Sequence, residues 1–252
     1  MTYCVGLILD RGIVMMSDTR TNAGVDNISV FKKMNTWSVP GERVISIMSA
    51  GNLATTQALV SMLDERTKAP GDRNPSLLEA PSMFQVATMT GKMLRKIVKE
   101  SSQDGNRSTF TATLIIGGQI KGSPPRLFKI YPEGNFIEAG SDTPFFQTGE
   151  TKYGRPIIVR AYDPAMSFEE AIKLLLVSFD STIKANLSVS LPLDVTVYAK
   201  DSLTVTHEFR ITQEDEYFNV ISNGWGAALK VAFSSLPDFT FGPTIVAEGD
   251  AP

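Results

Sequence analysis

Two strand-type runs, residues 2–9 and 13–18, face each other across the turn-forming triplet Asp10-Arg11-Gly12, so the chain opens as a β-hairpin with its start held in a sheet. Two more runs of the same kind, residues 28–35 and 44–49, follow before any helical period, joined through Pro40-Gly41, which favours a tight reversal. A chain that begins with four strands must cover a sheet face, and the remaining elements are constrained by that need.

Helical period starts at Asn52, with Leu53, Thr56, Val60 and Leu63 on one stripe and an end expected before Pro70-Gly71. A second helix carries Met83, Val86, Thr90, Met93 and Ile97 along one face, and this methionine-rich stripe reads as core filling rather than as a cofactor site. After a polar loop over 101–109, strand runs return at 110–116, 126–131 and 136–139, with Glu133-Gly134-Asn135 supplying hairpin turn chemistry. The capping box Ser167-x-x-Glu170 announces a long helix bearing Ile172, Leu175, Leu176, Phe179 and Ile183, and strand alternation resumes at 193–199 and 204–211. This order predicts an α+β four-layer αββα sandwich, two antiparallel sheets packed together with helices on their outer faces. No internal repeat or linker interrupts it, so residues 1–236 are expected to form one domain and 237–252 a tail.

The hydrophobic content of 42% over 252 residues can fill such a core. A net charge of −3, with no Lys/Arg block, offers no field for a phosphate backbone, so no nucleic-acid partner is expected. The lone cysteine, Cys4, excludes an internal disulfide, and the lone histidine, His207, excludes a cluster of histidine ligands, so no metal or other cofactor is expected. The apolar run over 5–9 is too short for a signal peptide or membrane span, which places the protein in the cytoplasm and away from membranes.

The chemistry must therefore come from other residues. The sequence has no G-x-S-x-G elbow, no Walker loop and no H-E-x-x-H helix. His207 alternates with its neighbours in a strand and reads as structural, and Cys4, between Tyr3 and Val5, reads as a buried inert thiol rather than half of a Cys-His pair. A threonine that becomes amino-terminal needs no histidine, because its own α-amine, with an ordinary pKa of about 8, can take the hydroxyl proton. Thr2 is placed for this once Met1 is removed. Across the hairpin, Asp18 falls within a residue or two of Thr2. Lys32 and Lys33 point to opposite faces of the third strand, so only one can enter a site beside them, where a buried ammonium would favour an alkoxide. The alternative is a hairpin-end carboxylate and two solvated lysines.

The pattern Thr2-Tyr-Cys-Val-Gly6, Ser17-Asp18-Thr-Arg20, Lys32-Lys33-Met34 and Ser49-Ala-Gly51-Asn52 resembles that of proteasome β subunits. The stretches Thr19-Arg-Thr-Asn-Ala-Gly-Val-Asp-Asn27 and Ser49-Ala-Gly-Asn-Leu-Ala-Thr-Thr-Gln57 resemble the Anbu family, bacterial proteasome-related proteins also called ancestral β subunits. The resemblance runs from Thr2 to about Ile211. It implies the N-terminal nucleophile fold, Thr2 as nucleophile and amine base, Asp18 as the residue orienting the lysine, and Lys33 as the cation lowering the nucleophile's pKa. The oxyanion-hole position matches Met48, with Ser49 beside it, where a side chain would narrow the pocket. Glu150 stands where the family has a serine bonded to the terminal amine, and Asn186 where it has a supporting aspartate, changes that would raise the amine pKa or weaken proton shuttling.

The resemblance further implies a threonine-dependent hydrolase of peptide or peptide-like amides, working through an acyl-enzyme within a homo-oligomeric ring or open helical ring. A silent ring-forming scaffold and an amidohydrolase of a small modified metabolite are the alternatives. The chain has no nucleotide motif, so energy-dependent unfolding would need a separate ATPase partner.

Overall fold

The computed structural model describes residues 2–22, 28–68, 76–101 and 107–242. Met1, the break expected at Pro70-Gly71, most of the loop at 101–109 and the far end of the tail lie outside them.

Two five-stranded antiparallel sheets form the centre. One has the order β10 (Phe145–Gly149), β1 (Tyr3–Leu9), β2 (Gly12–Asp18), β11 (Leu193–Ala199), β12 (His207–Ile211). The other has the order β5 (Met34–Val39), β6 (Arg43–Gly51), β7 (Ala112–Ile120), β8 (Arg126–Ile130), β9 (Phe136–Glu138). Helices α1 (Leu53–Lys68) and α2 (Met83–Ser101) cover the second sheet, and α3 (Arg155–Ala161), α4 (Phe168–Ala185) and α5 (Glu216–Ser234) lie against the first.

The layers follow from side-chain alternation. In β1, Tyr3, Val5, Leu7 and Leu9 pack beneath α4 while Cys4 faces the opposite sheet; in β6, Ile45 and Ile47 pack beneath α1 and α2 while Val44 and Met48 face inward. Both faces of the central strands are buried, so these strands read as apolar runs rather than polar-apolar alternations. The stripe Met83, Val86, Met93 and Ile97 of α2 lies in the core as expected. The Ser167–Glu170 capping box forms with both of its hydrogen bonds. Among the described residues, no helix is long and apolar enough to cross a membrane, and no group of three His, Cys, Asp or Glu side chains could hold a metal ion.

Three features depart from expectation. The run at 28–35 is not one strand: β4 (Ile28–Val30) pairs with β3 (Arg20–Asn22) in a separate ribbon, and β5 starts only at Met34. One straight strand could not serve partners in two different sheets, and the residues between carry Lys33 inward. The segment 145–149 is an edge strand whose existence depends on β1. Helices α3 and α5 depart from expectation, the first because it has only 7 residues and carries Pro156 at its second position, the second because Gly224 and Gly226 interrupt its period.

Candidate active site

The hairpin register puts Cys4 opposite Ser17, which makes Tyr3 and Asp18 neighbours across β1 and β2. The Tyr3 amide donates to Asp18 Oδ1 at 2.9 Å. Lys33 donates from Nζ to the same oxygen at 2.8 Å and to the Arg20 carbonyl, which fixes its direction. Asp18 is fully buried and Lys33 is 5% exposed, so this is a desolvated ion pair. Burial pushes the Asp18 carboxyl above the usual carboxylate range, and the Lys33 ammonium and the Tyr3 amide act against that push. Asp18 Oδ2 is buried without a hydrogen-bond partner among the described residues, so the ammonium and the Tyr3 amide on Oδ1 carry most of its stabilisation.

Thr2 lies just before β1, with β10 on its other side. Its carbonyl accepts from the Glu150 amide at 2.6 Å. Gly149 makes that approach possible: its φ is +84°, and a Cβ there would lie 1.8 Å from the Thr2 oxygen. Behind Thr2, the Asn186 carboxamide at the end of α4 donates to Glu150 Oε2 at 2.9 Å and accepts from the Ser188 amide at 2.9 Å. Glu150 is 6% exposed, so its carboxylate is held inside the fold beside the start of the chain. The Tyr3 hydroxyl bonds to Ser178 of α4 at 2.7 Å and accepts from the Gln147 carboxamide of β10, tying β1 to both neighbours.

Thr2, Lys33, Ser49 and Gly51 line one cleft of about 720 Å³, closed on its far wall by α1. The structure thus brings together Thr2, Asp18, Lys33, Glu150 and Asn186. Contrary to the expectation that only one of the two lysines enters, Lys32 also lines the cleft, but it pairs with Glu208 at 3.2 Å in an exposed contact rather than with Asp18.

Met48 does not reach the cleft. It is fully buried between the sheets, and the ladder accounts for its amide: Asn52 N–H donates to Thr111, so alternation directs the amides of Ala50 and Met48 to β7 as well. The odd-numbered amides point the other way. That of Ser49 donates to the Lys33 carbonyl at 3.1 Å, and the same parity turns that of Gly51, two residues on, to the β5 side, where Gly51 lines the cleft. Gly51 was visible in the motif Ser49-Ala-Gly51-Asn52, but its amide direction is a property of the ladder.

The Cys4–His207 alternative fails on topology. β2 and β11 separate their strands, roughly 14 Å at three strand spacings. Cys4 is fully buried, and burial together with the nearby Asp18 charge drives its thiol pKa far up, so no reactive thiolate forms.

Comparison with known proteins shows the family and the fold. The proteasome subunit family model matches residues 2–197. The proteasome subunit beta of Methanocaldococcus vulcanius is 24% identical over 212 residues, 84% of this chain and 88% of that protein. Among solved structures, Anbu from Yersinia bercovieri superposes with a TM-score of 0.89 at 46% identity, covering 95% of this chain and 100% of that one. A structure described as the helical assembly of the Anbu complex from Pseudomonas aeruginosa gives 0.89 at 43% identity, covering 94% and 98%.

Proposed function

The chain belongs to the Anbu branch of the proteasome family, and from that premise we propose that it is an N-terminal threonine hydrolase of peptide or peptide-like amides. The observation that carries the proposal is the shared cleft: Thr2 and the buried Lys33–Asp18 pair face one space, which Gly51 also lines. After Met1 is removed, the Thr2 amine accepts the hydroxyl proton and the alkoxide attacks the substrate carbonyl. Lys33 holds a positive charge beside the forming alkoxide, and Asp18 keeps that ammonium in place. Gly51 N–H, rather than Met48 or Ser49, donates to the oxyanion. The tetrahedral adduct then expels the amine, which takes the proton, and water hydrolyses the acyl-threonine. Glu150, steadied by Asn186, takes the place beside Thr2 that the family resemblance gives to a serine. The test is intact and tryptic mass spectrometry after a β-lactone or epoxyketone probe: labelling confined to Met1-free Thr2 supports the reading, and a retained Met1 would sink it, because the amine would be blocked.

The second reading, a ring-forming scaffold, is favoured by the Glu150 and Asn186 environment and shares the same assembly. We place that assembly, a ring or open helical ring of this chain in the cytoplasm, on α5. Beyond Gly226 the helix has no covered residue; Leu229, Val231 and Phe233 are 49%, 71% and 77% exposed, an apolar surface that a lone chain would not keep in water. Val231→Asp with Phe233→Asp is expected to shift the protein to monomer in analytical ultracentrifugation while circular dichroism stays unchanged. An intact oligomer would remove α5 from the interface. Residues 1–236 as one domain, a tail after them and a separate ATPase belong to the same proposal.

A further inference from the structure

The cleft beside Thr2 also carries information about which amide enters it. The residue whose carbonyl Thr2 attacks has its side chain nearest to Thr2, so that side chain occupies the space Thr2 lines. Asn35, two positions after Lys33, lines the same cleft; the Ser49 amide bonds the Lys33 carbonyl, and α1 presents Gln57 and Ser61 from the opposite wall. Thr21 adds a hydroxyl. Among the described residues, no partner is found for the side chains of Thr21, Asn35, Gln57 or Ser61, so the cleft holds two carboxamides and two hydroxyls with open donors.

The charges in the lining are of one sign. Lys32 and Lys33 line it, and no Asp or Glu does among the described residues. Lys33 is engaged by buried Asp18, but the pair Lys32–Glu208 is open to solvent, with side chains 50% and 47% exposed. Such a pair is worth at most about 1 kcal/mol, so Lys32 is available to a new carboxylate.

We propose that this cleft selects amides whose acyl-side residue ends in a carboxylate, with a carboxamide second, over apolar and basic side chains. A carboxylate accepts only, and every polar group around it can donate. An apolar side chain would leave those donors without partners, and a basic one would meet Lys32 with no acid to balance it. The inference rests on Thr2 being the attacking residue.

Its test does not need turnover. Peptides of the form acetyl-Ala-Ala-X-Ala-Ala-amide, with X as Glu, Gln, Leu or Arg, are titrated calorimetrically into the assembled, Met1-free Thr2→Ala protein. The Glu peptide is expected to bind about tenfold more tightly than the Leu peptide, with Gln between them and Arg weakest, the gap that 1.4 kcal/mol represents. Lys32→Ala on the same background should reduce the Glu advantage severalfold and leave Leu affinity unchanged, and Asn35→Leu should narrow the gap from the other side. Equal or tighter binding of Leu, or no discrimination among the four, overturns the inference. The two readings fail separately: a Glu preference with an unlabelled wild-type Thr2 leaves the selectivity standing and removes the catalytic role, whereas a labelled Thr2 with a Leu preference does the reverse.

Discussion

Amide hydrolysis by the Met1-free protein is expected to fall by about a thousandfold or more on Thr2→Ala, because no other hydroxyl takes its place as nucleophile once it is gone. Thr2→Ser keeps the hydroxyl and the amine and should stay within roughly tenfold of wild type. The side chain is 9% exposed, and removing its hydroxyl and methyl leaves the backbone bond from Glu150 in place, so the variant should fold and assemble. kcat/KM measured on one fluorogenic peptide amide, with intact mass confirming loss of Met1, compares the three proteins. A Thr2→Ala protein with undiminished activity would move the nucleophile elsewhere.

Lys33→Ala is expected to be the most damaging single change to stability in this region. It leaves Asp18 fully buried, with only the Tyr3 amide on Oδ1. Breaking a buried ion pair from one side destabilises by about 3–5 kcal/mol, whereas Lys32→Ala, which breaks only an exposed pair, should cost less than about 1 kcal/mol. Urea unfolding of both variants measures the contrast, and equal midpoints would show that the pair contributes nothing.

The pH dependence of that loss has a definite sign. Burial already raises the Asp18 carboxyl, and removing the ammonium raises it further. A carboxyl whose folded pKa lies above its unfolded value binds protons better in the folded state, so its unfavourable contribution is present at high pH and fades as pH falls through the folded value. The gap between wild type and Lys33→Ala should therefore narrow on acidification. A gap that widens would mean that the carboxylate finds another partner.

Much of this arrangement is legible in the order of residues. The Asp10-Arg11-Gly12 turn brings Asp18 near Thr2, because that depends only on local turn chemistry and the hairpin register, whereas Lys33 turns inward from the segment between β4 and β5 rather than from within a strand. The helical stripes and the Ser167–Glu170 cap are equally local. What stayed hidden depends on partners distant in the chain. Strand 145–149 is an edge strand that exists through its pairing with β1, and the left-handed Gly149 exists because the Thr2 carbonyl passes there.

The oxyanion donor shows the same division most plainly. Motif matching pointed to Met48, since a sequence records which residue follows which and carries no record of where an amide points. The proposal of Gly51 over Met48 and Ser49 rests on the hydrogen-bond parity of β6 between β5 and β7, a property of two ladders joined by residues far apart in the chain. The order of residues determined by itself the sandwich and the hairpin, because short-range periodicity is enough to specify them, whereas Thr2, Asp18 and Lys33 stood out as a set only through the resemblance to proteasome β subunits. Only the packed sheets decided which backbone groups face the cleft, how Glu150 and Asn186 meet behind Thr2, and which helix is left with an uncovered apolar face.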